Sequence, residues 1–268
     1  MDDRHFARLL RGLGRSWRGY RKVRKGVKRR VARHMQELHC PDIDSYLAAL
    51  ASNLSALSAC EQRLGVSISR FFRDLRLWEV LADRAVPEAV CGHGDHIRLW
   101  FIGCACGEEV YSFKILWVLG RERGDWEAAD PRIVATDKNL LYLEKARAGV
   151  YAASSLREVS AELRQRFFFK VNSHFAVKPE LKKGICWKPH GLLDDPLPAE
   201  GFHMIFLRNS LLTYYQEEIQ AAGLCIVVQA LVPGGFLVIG NHERLPDGDY
   251  GLIPYERSIY RKSSYSEH

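Results

Sequence analysis

Three short stretches carry side chains whose types and order could build one ligand site. The first is Gly103-Cys104-Ala105-Cys106-Gly107-Glu108-Glu109, a glycine-bounded loop that runs into two adjacent acids. The second is Asp137, which closes the apolar run Arg132–Thr136. The third is Arg208-Asn209, which closes the run His203–Leu207. In an open parallel sheet, ligands sit beyond the carboxyl ends of the strands, where loops meet helix N-termini. Gly103 and Gly107 permit a tight turn and a close approach of ligand to backbone. The loop is not a G-x-G-x-x-G phosphate fingerprint, and two acids at the helix entrance would repel a pyrophosphate while tolerating a cationic ligand. Asp137 suits two roles, accepting hydrogen bonds from ribose hydroxyls or capping the next helix. Asn209 offers both a donor and an acceptor, which fits an adenine edge, an amino-acid group or a buried structural amide.

Those residues need a scaffold that alternates. Ile97–Ile102, Arg132–Thr136, His203–Leu207 and Gly235–Gly240 read as strands, the last entered through a Pro233-Gly234 turn. Helical windows at about 108–119, 139–147 and 216–231 lie between them, so a parallel, doubly wound α/β sheet is expected. The front of the chain has a different rhythm. Phe6, Leu9 and Leu10 form one apolar stripe, and Val23, Val27, Val31 and Met35 follow at spacings of four. Further helices are expected around Tyr46–Leu50, Leu54–Leu64 and Leu77–Leu81, and 86–96, with Pro87, Gly92 and Gly94, reads as a boundary loop. The expected division is therefore an all-helical domain over 1–88 and an α/β domain over 89–268.

The formal charge of +7 is concentrated in the first forty residues. Such a field attracts an acidic protein surface, a nucleic acid or anionic lipid, although a solvated helix face has the same composition. The tryptophans do not interleave with the basic run, so stacking on single-stranded nucleic acid is not indicated. Seven cysteines without framework spacing fit reduced thiols. Cys91, His93, Asp95 and His96 form too short a cluster for a structural zinc, and no metal is expected. No apolar run is long enough to span a membrane and the first residues lack a secretory pattern, so a cytoplasmic protein is expected.

Six segments in order carry a family resemblance: Ser67-Ile68-Ser69-Arg70-Phe71-Phe72-Arg73-Asp74, the Gly103–Glu109 loop with Val110-Tyr111-Ser112, Ala135-Thr136-Asp137, Ala146–Tyr151, Leu207-Arg208-Asn209, and Pro233–Leu237. The chain resembles the CheR-type chemotaxis-receptor methyltransferases over nearly its whole length. The resemblance implies a Rossmann-like class I methyltransferase domain behind an N-terminal helical domain. It also implies S-adenosylmethionine as cofactor, S-adenosylhomocysteine as product, and methyl esters made on glutamate side chains of receptor helices. Carried onto this sequence, Ser67, Ser69 and Arg73 would reach the cofactor from the interdomain segment. Gly103 lies in the cofactor loop, and Glu109 or its neighbour Glu108 would meet the methionine end. Asp137 would take the ribose, Gly191 and Leu192 would line the adenine pocket, and Asn209 and Ser210 would close the site. Arg73 and Tyr214 would flank the transferring methyl.

Several positions depart from the family pattern. Ser67 and Ser69 stand where Asn and Thr are common, and Gly191 where Asn is frequent. Leu207–Tyr215 is one residue longer than the usual pattern, so the tyrosine is Tyr214 or Tyr215. The region about 167–190, where receptor-tethering members carry a small β-subdomain, is short. A carboxylate is already a competent nucleophile at neutral pH, so the chemistry expected here is alignment rather than base catalysis. An acidic protein is the leading acceptor. A small-molecule acceptor, or a regulator that binds the cofactor without turnover, are the alternatives. A nucleic-acid acceptor is disfavoured because no Asn/Asp-Pro-Pro-Tyr tetrad lies near residue 209.

Overall fold

The computed structural model describes residues 1–66, 69–94 and 96–264. The chain forms two compact units, Met1–Ser67 with Leu211–Gln220, and Ile68–Ser210 with Ala221–His268.

The smaller unit is helical. Asp3–Gly12, Arg24–Glu37, Ile43–Ser52 and Leu54–Leu64 are its longer helices. Their starts are chemically marked: Asp2 accepts the His5 amide, Asp42 and Ser45 form a capping box, and Asn53 accepts the Ala56 amide. Phe6, Leu9, Leu10, Val27, Val31, Tyr46 and Leu50 interlock in one core. Of the predicted valine stripe, Val27 and Val31 are buried, whereas Val23 and Met35 lie half-buried at its margins. The segment Leu211–Gln220 is bound into this unit by backbone. The Ser16 N–H donates to the Tyr214 carbonyl and the Gln216 N–H to the Gly14 carbonyl, both at 2.9 Å. Gly19 must be glycine there, because a Cβ at that position would stand 2.1 Å from the Thr213 carbonyl oxygen.

The larger unit is built on a seven-stranded sheet. Its strands are β1 (Arg98–Ile102), β2 (Arg132–Asp137), β6 (Ile185–Pro189), β7 (Phe202–Leu207), β8 (Leu231–Ile239), β9 (Leu252–Glu256) and β10 (Ile259–Lys262). The order is β6-β2-β1-β7-β8-β10-β9. Strands β6 through β8 pair in parallel, and β10 pairs antiparallel with both β8 and β9. The chain moves outward from β1 through β2 and then returns to the other side of β1 with β7. The reversal puts the switch in strand order between β1 and β7, the position where open α/β sheets bind ligands. This is the expected Rossmann-like architecture. The core is aromatic at its centre, with Phe101 and Phe206 stacked at 4.3 Å and Phe113 against both.

Four features differ from the sequence reading. The units divide after residue 67 rather than after 88, because Phe71, Phe72, Leu77, Trp78 and Leu81 are buried in the same core as Leu99 and Phe101. The expected loop at 86–96 contains the helix Val86–His93. It continues from Leu75–Val80 through a π turn, Leu81–Ala85, in which the Val86 N–H reaches back to the Leu81 carbonyl. Proline lacks an N–H and crowds the preceding turn, and the wider turn lets Pro87 follow without ending the helix. The small β-subdomain lies at 150–177, not 167–190. It is the antiparallel sheet β3-β5-β4, made of Val150–Ala152, His174–Val177 and Phe168–Val171. Ile185–Pro189 pairs instead with Ile133–Asp137 of the main sheet. Finally, Pro233-Gly234 lies inside β8, where the register against β7 shifts, rather than before it.

Candidate active site

The loop after β1 is folded by its glycines and by β2. Gly103, Ala105 and Gly107 all have left-handed backbones, with φ of 65°, 48° and 86°. The Cys104 N–H donates to the Thr136 carbonyl and the Ala105 N–H to Asp137 Oδ2, both at 2.9 Å. Asp137 Oδ1 accepts the Asn139 N–H at 2.8 Å. The cap of the following helix is Asn139, which accepts the Leu141 N–H. Asp137 therefore joins two strand tips and is not the residue that starts that helix. A Cβ on Gly103 would stand 3.0 Å from the Ser210 Cβ, and one on Gly107 would stand 2.8 Å from the Trp187 ring. The tips of β1, β2, β6 and β7 thus converge on this loop.

The two acids at the helix entrance have separate environments. Glu108 is only 5% exposed, its carboxylate is hydrogen-bonded by Ser69, and its Oε2 has no partner. Burial pushes its carboxyl above the ordinary value, and the neighbouring Glu109 charge adds to the rise. Glu109 instead pairs with Arg208, whose other guanidinium nitrogen binds Asp74 at 2.6 Å. Of the two acids proposed for the methionine end, Glu108 is the one with a buried carboxylate oxygen left without a partner. Asp137 is likewise raised by burial, partly offset by the Asn139 and Ala105 amides.

The segment bearing Arg73 is held rigidly. Phe72 and Asp74 on either side have φ of 50° and 64°. The Phe72 N–H donates to Ser112 Oγ and the Trp78 indole N–H to the Arg73 carbonyl, each at 2.9 Å. Left-handed backbone costs a non-glycine residue on the order of 1–3 kcal/mol and gathers at functional sites. Among the described residues, six non-glycine positions have it, and Phe72, Asp74, Ala105 and Asn209 are four of them.

Asn209 follows Arg208 at the β7 tip, with φ of 51°. Its N–H donates to Glu243 at 2.9 Å, and Ser210 Oγ beside it is buried without a partner. On the β6 side, Leu192 is buried and the Gly191 N–H donates to Asp195 at 2.7 Å. A Cβ on Gly191 would lie 2.5 Å from Lys138 Cε, so the lysine stem occupies the space above that glycine. Lys138 pairs with Asp194 across it.

The larger unit therefore gathers Ser69, Arg73, Gly103, Glu108, Glu109, Asp137, Gly191, Leu192, Asn209 and Ser210. Ser67 lies outside the described residues. Tyr214 belongs to the smaller unit, where its ring lies 5.0 Å from that of Tyr20, and Arg15 stands over the Tyr215 ring at 3.7 Å. Sequence reasoning missed Ser112, Trp78 and Glu243 as supports, and it gave Arg208 no role. Among the described residues no group of three or more His, Cys, Asp or Glu is arranged to hold a metal.

The model of the CheR methyltransferase SAM-binding domain matches residues 67–257. This chain belongs to that family. It is 27% identical over 266 residues to a chemotaxis protein methyltransferase of Listeria innocua, covering 98% of this chain and 97% of that protein. An uncharacterized 104.1 kDa protein of Rhodobacter capsulatus is 31% identical over 240 residues, which cover 88% of this chain but 25% of that protein. Among solved structures, the N-methyltransferase NodS of Bradyrhizobium japonicum, in complex with S-adenosylhomocysteine, has a TM-score of 0.36 and 16% identity. The match covers 65% of this chain and 63% of that one. An S-adenosylmethionine-dependent methyltransferase of Mesorhizobium loti has a TM-score of 0.32 and 19% identity, covering 60% of this chain and 54% of that one. CheR methyltransferases are S-adenosylmethionine-dependent, and the fold is the Rossmann-like fold of class I methyltransferases. The residues present fit that cofactor: Glu108 Oε2 and Ser210 Oγ are buried polar atoms without partners, and the acids near them suit a cation.

Proposed function

We propose that this chain transfers a methyl group from S-adenosylmethionine to a carboxylate, with a glutamate side chain of an acidic protein as acceptor. The observation that carries the reading is the pairing of a buried acidic cradle, Glu108 and Asp137, with the rigid segment that presents Arg73. Bound S-adenosylmethionine supplies an electrophilic methyl on a positively charged sulfur. Glu108 and Ser69 would hold the methionine end, Asp137 the ribose, Gly191 and Leu192 the adenine, and Asn209 and Ser210 the remaining edge. Arg73 would orient the acceptor carboxylate by a bidentate contact. Since the acceptor is already ionised, the protein's contribution is alignment, for which effective molarities reach on the order of 10⁵ M or more.

The acceptor's acidity matches the smaller unit. Lys25, Arg29 and Arg33 are exposed along the helix Arg24–Glu37, while Val27 and Val31 face its core. Other cations nearby are already paired, Arg8 with Asp44 and both Arg24 and Lys28 with Asp3. Receptor helices in the cytoplasm are the acceptor this reading favours. No helix among the described residues is long and apolar enough to cross a membrane.

The test is incubation of the purified chain with methyl-labelled S-adenosylmethionine and acidic helical acceptors. Base-labile label on protein is expected, and Arg73→Ala should lower the turnover number by at least about tenfold, equivalent to roughly 1.4 kcal/mol. Extractable label in a small molecule, or full turnover by Arg73→Ala, would overturn the acceptor or the arginine's role respectively.

A further inference from the structure

The turn that follows β8 is tied to the tip of β7 by one carboxylate. Glu243 is 9% exposed, and its Oε2 accepts two backbone amides, from Asn209 at 2.9 Å and from Gly240 at 2.7 Å. Its own N–H donates to the Gly240 carbonyl at 2.9 Å, closing the turn Gly240–Glu243. Gly240 is glycine for a steric reason: a Cβ there would meet Glu243 Oε2 at 2.7 Å and Asn209 Nδ2 at 2.8 Å. The carboxylate and the Asn209 amide therefore both crowd the same spot, which fixes where the Asn209 side chain leaves the backbone. Asn209 holds a left-handed backbone there, at φ 51°.

We infer that Glu243 is a positioning residue for the cofactor, acting through Asn209 and touching no ligand itself. The inference rests on Asn209 being part of the cofactor site. A buried N–H that loses its acceptor must find another, and the cheapest way is to leave the left-handed conformation. Asn209 would then turn its amide away from the β7 tip. What matters is the reach of the acceptor oxygen more than its charge. Glutamine at 243 keeps an oxygen at the same distance along the side chain, whereas aspartate keeps the charge but is one methylene too short to serve both amides.

Calorimetric titration of the full chain with S-adenosylhomocysteine tests this without requiring turnover. Glu243→Gln should bind within about threefold of the unsubstituted chain, and Glu243→Asp at least about tenfold more weakly, roughly 1.4 kcal/mol. In an Asn209→Ala background, Glu243→Asp should add less than about twofold, because the group through which it acts is gone. A structural role alone would lower thermal stability equally in both backgrounds and leave the affinity order unpredicted. Glu243→Gln binding more weakly than Glu243→Asp, or full additivity with Asn209→Ala, would overturn the inference. Unchanged binding by Asn209→Ala alone would remove the underlying assignment of Asn209, and that result is read before any change at 243.

Discussion

A buried carboxylate with an unpartnered oxygen is costly to keep, and Glu108 is such a group. Glu108→Gln should therefore stabilise the ligand-free protein by on the order of 1 kcal/mol, a rise in melting midpoint of roughly 2–4 °C for a domain of this size. The same change should weaken S-adenosylmethionine more than S-adenosylhomocysteine, since only the former carries the sulfonium charge. Comparing both ligands by calorimetry checks this. Both Glu108 and Asp137 have carboxyls raised above their ordinary values of 4.5 and 3.8. Groups raised on folding contribute stability that is present below the unfolded values and lost as pH climbs through the folded ones. A bound cation favours the ionised forms, so S-adenosylmethionine affinity should rise with pH across that same window, with proton release on binding. Affinity that falls with pH there would contradict the acidic cradle. At this scale the places of Glu108, Asp137 and Asn209 in the chain were legible, at a helix start, a strand end and just past a strand end. Ser112 and Glu243 were not, because they lie 40 and 34 residues from the amides they hold and no local spacing records the pairing.

At the level of elements, Arg208 fastens the end of β7 to two other pieces of chain. Its side chain is 3% exposed, and it binds Glu109 at the entrance of one helix and Asp74 beside another. Arg208→Met would leave two acids facing each other without their cation, and removing one member of a buried ionic group costs about 3–5 kcal/mol. Denaturant unfolding should show that loss, and Asp74→Asn in the same background should recover part of it. The parallel strands β1, β2, β7 and β8 were readable as apolar runs because both faces of each are covered. Strand β6 was not assigned to the main sheet, since an edge strand with the exposed residues Cys186, Lys188 and Pro189 carries no such run. The Val86–His93 helix was hidden by Pro87 and two glycines. The π turn that absorbs the proline leaves no mark in hydrophobic spacing.

Across the whole molecule, the sequence reading assigned the helical front to one uninterrupted stretch of chain. The structure instead adds Leu211–Gln220 to it, through two backbone hydrogen bonds and the contact of Tyr214 with Tyr20. No periodicity within the first residues could have announced a piece contributed from so far along the chain. Residues 1–67 produced alone should be less stable than the same residues with 211–220 appended through a flexible linker. The difference should be on the order of 2 kcal/mol, about the value of burying one large side chain, and thermal unfolding by circular dichroism measures it. The passage from one unit to the other falls inside the helix Glu217–Ala230, after Gln220. Shuffling parts between relatives would feel this interleaving. A hybrid that inherits its front helices from one parent and its remainder from another receives a mismatched piece of the smaller unit, so viable crossovers must exchange both stretches together.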